Sequence, residues 1–295
     1  MAFEYAPAPE SRSVVSIASS YGLFINGEFA TPTKSDGPTY FDTISPGTGE
    51  SLGKVIDGSV ADVAHALAFV NEAHAQPQGG YAWVLDWHES KAAVTDGTNH
   101  CYGLAFVLLA CAHALKAGVA EAAEGLAATF ALMEQRFWEP AHGLYADEAT
   151  PDWLLGPYRG QNANMHACEA MLAAHAATGE ARYLDRALTL ATSIAQRQAA
   201  LAGGLVWEHY QTDWTPDWDY NRDDKTNIFR PWGYQPGHLT EWAKLLLILE
   251  RHSGQLQHGD GWLLPAEGQL FAILFDNVGQ TPIFVIFNGV PLSME

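Results

Sequence analysis

Apolar positions repeat with a helical period in three stretches of this chain: residues 102–117, 166–178 and 240–252. His100, His166 and His238 open them, 66 and 72 residues apart, and Gly118, Thr178-Gly179 and Ser253-Gly254 close them. The first two are each followed by a more amphipathic helix, residues 119–136 and 183–200, and then by a loop rich in glycine and aromatics. A helix that is apolar all round needs cover on every side, whereas an amphipathic one keeps a wet face. The alternation predicts a toroid of paired helices, apolar members inside and amphipathic ones outside. Loops that open the inner helices then converge at one end, where the polar residues cluster.

The first 70 residues have another pattern. Leu23-Phe-Ile25 and Glu28-Phe-Ala30 flank Asn26-Gly27, the sequence of a tight hairpin. Residues 40–44 and 52–56 form a second expected hairpin around Ser45-Pro-Gly-Thr-Gly49. Ser59 then suits the N-cap of a helix that carries Val63, Leu67 and Val70 on one side. Beyond about residue 255 the runs Phe271-Ala-Ile-Leu-Phe275 and Pro282-Ile-Phe-Val-Ile-Phe287 have strand composition. The expected organisation is therefore a hairpin-containing segment (1–70), a helical domain (71–255) and a divergent tail (256–295). The expected fold class is mainly α, a partial α/α toroid of about three helix pairs.

Composition narrows the partners. With 48% apolar and 17% charged residues the chain is globular. A net charge of −19 excludes a nucleic-acid partner and disfavours an anionic membrane surface. Cys101, Cys111 and Cys168 are odd in number and sit in apolar patterns, which fits buried thiols in a reducing compartment. Residues 1–13 lack the basic start and apolar centre of a secretory signal, and no stretch has the length of a membrane span. The expected location is cytoplasmic.

The densest chemistry lies in Arg230-Pro-Trp-Gly-Tyr-Gln-Pro-Gly-His238-Leu-Thr-Glu241-Trp242. Two prolines fix φ and two glycines permit tight entry, so the loop delivers His238 rigidly to the first turn of a helix. Glu241 follows three residues later on the same face, where its carboxylate can orient or charge the imidazole. Arg159-Gly-Gln-Asn-Ala-Asn-Met-His166 is a second polar loop that ends in a histidine. Such histidines suit acid/base work in a sugar pocket, and the bland alternative is a cap or a core imidazole. Arg230 equally fits an ion pair with Asp219 or Glu241, and His100 reads better as structural. Convergence of His100, His166 and His238 on a metal is a competing use, but no H-x-x-x-H or C-x-x-C spacing accompanies it. The acidic run from Asp213 to Asp224 lacks the glycine and terminal glutamate of a calcium loop.

Two resemblances follow. Leu23-Phe-Ile-Asn-Gly-Glu-Phe29, Ile44-Ser-Pro-Gly-Thr-Gly-Glu50 and Leu52-Gly-Lys-Val55 resemble the N-terminus of aldehyde dehydrogenases, without the nucleotide loop, base or nucleophile of that family. Gly80-Tyr-Ala-Trp-Val-Leu-Asp-Trp87, His100-Cys-Tyr-Gly-Leu-Ala-Phe106, Met133-Glu-Gln-Arg-Phe-Trp138, Trp207-Glu-His-Tyr210 and the two histidine loops resemble the N-acylglucosamine 2-epimerase family, in its mannose-isomerase-like branch. That second resemblance spans residues 79–252. It implies an (α/α)6 barrel that binds a monosaccharide at one mouth and interconverts aldose and ketose, or epimerises C2, through an enediolate. It implies His238 as an acid/base residue assisted by Glu241, His166 near the ring oxygen or hydroxyls, and Tyr102, Asn162 and Arg230 as substrate contacts. No cofactor is implied.

Six helix pairs of this size need about 400 residues, and this chain supplies about three. A half ring leaves inner helices facing water, so a homo-oligomer through those apolar helices is expected. A fused or truncated reading frame accounts for the three-part pattern more simply than a bifunctional enzyme. The alternative reading is a dehydrogenase-derived fusion fragment without catalytic residues.

Overall fold

The computed structural model describes residues 16–34, 37–45, 47–88, 91–253, 270–275 and 282–287. The chain divides into two compact units, one of residues up to Ala73 with Trp87–Lys91, the other of His74–Asp86 and everything from Ala92.

In the first unit, β2 (Leu23–Ile25) pairs antiparallel with β3 (Glu28–Ala30) around Asn26 and Gly27, whose φ values are 57° and 76°. Only residues that tolerate positive φ fit both places. β1 (Ser20–Tyr21), β4 (Thr39–Ile44) and β5 (Ser51–Asp57) form a sheet in the order β1-β5-β4, parallel then antiparallel. α1 (Val60–His74) starts on a reciprocal cap: Asp62 N–H donates to Ser59 Oγ, and the Asp62 carboxylate accepts from Ser59 N–H at 2.7 Å.

β6 (Val84–His88) and β7 (Lys91–Asp96) form a two-stranded sheet, which helical periodicity did not foretell. β8 (Asn99–His100) leads into α2 (Cys101–Ala117). α3 (Ala122–Arg136) follows, then β9 (Trp138–Glu139), β10 (Leu144–Tyr145) and β11 (Glu148–Ala149). β12 (Arg159–Gly160) enters α4 (Gln161–Thr178), which is followed by α5 (Ala181–Ala191). After a π turn (Thr192–Gln198) and α6 (Ala199–Leu201), β13 (His209–Tyr210) precedes α7 (Pro236–Ser253). β14 (Leu270–Phe275) pairs antiparallel with β15 (Pro282–Phe287).

α4 buries residues on nearly every side, from Gln161 through Ala174, whereas α5 buries only Tyr183, Ala187, Leu190 and Ala191. That contrast is the one between an apolar and an amphipathic helix expected from the sequence. Gly118 and Gly179 end α2 and α4 at φ 105° and 73°, left-handed positions that glycine takes without strain. Cys101, Cys111 and Cys168 are free and buried, and burial pushes all three thiols up. Among the described residues no helix is long and apolar enough to cross a membrane.

α7 begins at Pro236, whose fixed φ suits a first helical turn, and His238 lies in that first turn as expected. Two expectations need correction. α4 begins at Gln161, so His166 lies in its second turn rather than at its start. The outer helix expected over residues 183–200 widens into the π turn at Thr192, where Thr189 and Thr192 turn their hydroxyls back onto the carbonyls of Asp185 and Leu188.

The real repeat lies in the loops rather than in the histidines. Isolated bridges join Ala75 to Tyr81, Ala149 to Leu155 and Tyr210 to Pro216. Each loop closes with the same two bonds: Gln76 N to Gly80 O and Gly79 N to Gln76 O, then Thr150 to Leu154 and Trp153 to Thr150, then Gln211 to Thr215 and Trp214 to Gln211. The residue four places after the first bridge position is left-handed each time: Gly79, Trp153 and Trp214, at φ 83°, 70° and 64°. A tryptophan at positive φ is rare and is held only by its surroundings. Trp153 Nε1 donates to Gln78 O, and Trp214 Nε1 to Glu139 Oε2.

Candidate active site

Short strands aim the inner helices. β8 pairs with β11 and β12 with β13, and the first N–H of each following helix is taken by a carbonyl from the partner segment. Cys101 N donates to Asp147 O, and Gln161 N to Glu208 O. Arg159 anchors the second entry with a two-point bond to Glu139 at 2.7 and 2.9 Å, and its remaining nitrogen donates to Gly156 O and Tyr158 O. Asn164 accepts from Tyr145 N and donates to Tyr145 O and Gly160 O, so it is structural. The fully buried Asp147 accepts the Gly160 N–H at 2.6 Å. Burial pushes its pKa up to about 8 against that bond and the charges of Arg230 and Arg159.

His238 meets Glu208, thirty residues upstream, rather than its helical neighbour Glu241. Its Nδ1 lies 2.9 Å from Glu208 Oε2, and the Glu208 side chain is only 5% exposed. Gln161, fully buried, donates from Nε2 to both Glu208 oxygens at 3.1 Å and accepts from Trp242 Nε1 at 2.6 Å. Burial disfavours the imidazolium, but the Glu208 bond and charge, with a further contribution from the Glu241 charge, raise the His238 pKa above its ordinary value. Glu241 thus supplies charge, while the orienting bond comes from Glu208. Neither Glu208 nor Gln161 was singled out from sequence, although both lie in motifs that were.

His166 sits on α4 with Nδ1 3.1 Å from Glu169 Oε2, and Lys244 of α7 binds the other Glu169 oxygen at 2.9 Å. Burial opposes ionisation of Glu169, but Lys244 and His166 hold its carboxyl below the usual range. Tyr102 and Phe106, one turn apart on α2, both meet the His166 ring, at 5.2 and 4.8 Å between centroids. Burial and then the Glu241 charge push the Tyr102 hydroxyl up. α4 and α7 are bonded from Gln161 to Trp242 and from Glu169 to Lys244, so they run side by side in the same direction. Asn162 Oδ1 is buried without a hydrogen-bond partner, an acceptor vacancy in the first turn of α4.

Arg230 belongs to a neighbouring cluster. It pairs with Glu148 at 2.6 Å rather than with Asp219 or Glu241, lies 3.9 Å over the Tyr158 ring, and reaches Tyr220 OH at 3.5 Å. Glu148 is also 3.8 Å from His100 Nδ1, and His100 stacks on Trp83 at 4.4 Å. Burial, with the Arg230 charge, lowers the His100 pKa despite Glu148 and Asp96. The structure therefore ties His238, Glu241, Tyr102 and His166 together through α2, α4 and α7, and gives Arg230 an ion-pair partner of its own. An open cavity of about 800 Å³ is lined by Trp207, Trp218, Trp232, Tyr234 and the Asp219–Arg222 pair, and none of the six expected residues lines it. Among the described residues no group of three or more ligating side chains is placed to hold a metal ion.

Two imidazoles, each hydrogen-bonded to a carboxylate, thus lie on adjacent parallel helices, an arrangement suited to proton transfer. The sequence signature of the N-acylglucosamine 2-epimerase (GlcNAc 2-epimerase) family matches residues 48–278. The chain belongs to that family. It is 48% identical over 219 residues to a D-mannose isomerase of Marinomonas mediterranea, covering 74% of this chain and 53% of the relative. A D-mannose isomerase of Thermobifida fusca is 39% identical over 219 residues, covering 74% and 52%. A crystal structure of D-mannose isomerase superposes with a TM-score of 0.63 at 51% identity, over 66% of this chain and 49% of that one. Cellobiose 2-epimerase from Spirochaeta thermophila shares the fold, with a TM-score of 0.55 at 22% identity over 68% and 48%. The chain spans about half the length of the curated relatives it matches.

Proposed function

We propose that this chain carries the proton-transfer half of a sugar isomerase site of the mannose–fructose type, built on three inner helices of an (α/α)6 barrel. The supporting observation is the His238 imidazole, bound through Nδ1 to a buried carboxylate and raised in basicity by it. In this reading Nε2 removes the proton at C2 of an open-chain aldose to form an enediolate, a proton passes from the C2 hydroxyl to the C1 oxygen, and the carbon-bound proton returns at C1 to give the ketose. Return at C2 from the other face gives the epimer instead. Tyr102, Asn162 and His166 hold the hydroxyls, the unpartnered Asn162 oxygen accepting one of them. Arg230 keeps the mouth in shape through Glu148, and a contact to the sugar is secondary. The domain division at about residues 70 and 255 belongs to the same proposal. So does a reducing, cytoplasmic setting, which three buried thiols suit.

The test is D-mannose to D-fructose conversion by the purified full chain, with oligomeric state measured alongside. His238→Ala should lower turnover by about 10²–10⁴-fold, the range that a positioned acid/base group supplies. No conversion by the unsubstituted chain, or full conversion by the variant, overturns the proposal.

A further inference from the structure

Trp242 carries a donor and no acceptor, because an indole N–H has nothing to accept with. Its Nε1 is 2.6 Å from Gln161. That contact fixes which end of the amide is oxygen: Oε1 faces Trp242, so the NH2 faces Glu208. The assignment of an amide's two ends is normally ambiguous, and here a donor-only neighbour resolves it. Both Glu208 oxygens then act as acceptors, and Oε2 stands 2.9 Å from His238 Nδ1. An unprotonated Nδ1 would set its lone pair against a carboxylate oxygen, while a protonated one makes a charge-assisted bond. The Gln161 nitrogen lies 3.1 Å from the same Nδ1, but its two hydrogens go to the two Glu208 oxygens, which leaves Nδ1 to donate to that carboxylate rather than accept.

We infer that Trp242, Gln161 and Glu208 form a directional hydrogen-bond relay that holds His238 as its Nδ1–H tautomer and reserves Nε2 for the ligand. Gln161 and Trp242 are fully buried or nearly so, and neither is exchangeable for water in this role. They are positioning residues, acting through Glu208. The relay also couples the entrances of α4 and α7, so the tautomer reports on the packing of two inner helices. The charged groups that bear on His238 are Glu208, from the segment before β13, and Glu241 on its own helix, while α4 contributes the neutral Gln161. This inference rests on the proposed role of His238 as base, but its test does not.

The experiment is long-range ¹⁵N–¹H NMR of ring-labelled histidine in the full chain, with His238→Gln assigning the signal. Above its titration His238 should show a protonated Nδ1 and a pyridine-like Nε2. E208Q, which offers a donor to Nδ1, should move most of the population to the Nε2–H tautomer, and E208D should restore the original one. W242F should shift it less, by freeing the Gln161 amide to turn. An Nε2–H tautomer in the unsubstituted chain, or an E208Q spectrum unchanged in tautomer, overturns the inference. In turnover, E208Q should lower kcat by about 10²-fold or more with little change in KM, and move the rising limb of the pH profile to lower pH. If the chain proves unable to isomerise mannose, the NMR result still decides the relay.

Discussion

Asp147 and Glu208 occupy the same place in successive repeats. Each lies two residues before the first bridge position of its loop, and each gives its backbone carbonyl to the first N–H of an inner helix. Each also sends its carboxylate on to the entrance of the next inner helix. Asp147 finds a backbone amide, Gly160 N–H, whereas the glutamate, one methylene longer, finds an imidazole. At Asp147 burial outweighs the Gly160 bond and the charges of Arg230 and Arg159, and the pKa rises to about 8; at His238 the Glu208 bond and charge outweigh burial and raise the imidazole. One scaffold position thus serves stability in one repeat and chemistry in the next, and the difference is the partner more than the acid.

That comparison breaks most sharply in turnover. E208Q should cost about 10²–10⁴-fold, as loss of an oriented base does, while D147N, which keeps an acceptor for Gly160, should cost less than about tenfold. Equal losses would erase the distinction. The next effect is on stability against pH. Asp147 has a folded pKa above its unfolded one, so its contribution is complete below about pH 4 and is lost as pH rises toward about 8. D147N should therefore be more stable than the unsubstituted chain at pH 9, on the order of a few kcal/mol, and nearly equal to it at pH 4, read by denaturant unfolding. The smallest effect concerns His238. Its folded pKa is also raised, so its stabilisation is present below pH 6.5 and fades as pH climbs through the folded value. E208Q should flatten that decline in the same titration. A decline that survives E208Q would assign the effect to Glu241.

Local physics was readable in the chain. Gly118 and Gly179 mark helix ends because a left-handed cap suits glycine, and the α4–α5 contrast follows from how far around each helix the apolar residues extend. His238 was visible as a rigidly delivered imidazole. Its partners were not, because Glu208 lies 30 residues upstream and Gln161 lies 77, and no local period reports side chains that meet only after helices pair. The histidine spacing misled, since His166 shares no helical position with His100 or His238. A better signal was present: aligning the chain on the loops that place Gly79, Trp153 and Trp214 sets Asp147 under Glu208 and marks both acids. The β6–β7 sheet escaped because neither strand shows clear alternation.

Those left-handed tryptophans have a mechanical consequence. Backbone held in that region costs about 1–3 kcal/mol, and Trp153 and Trp214 recover it by hooking an indole N–H onto the preceding repeat, at Gln78 and Glu139. Loosening the second turn releases its hold on the first at Gln78, and loosening the third releases Glu139 of β9, so the array should melt as a block and hydrogen exchange at these loops should track global unfolding rather than fraying from either end.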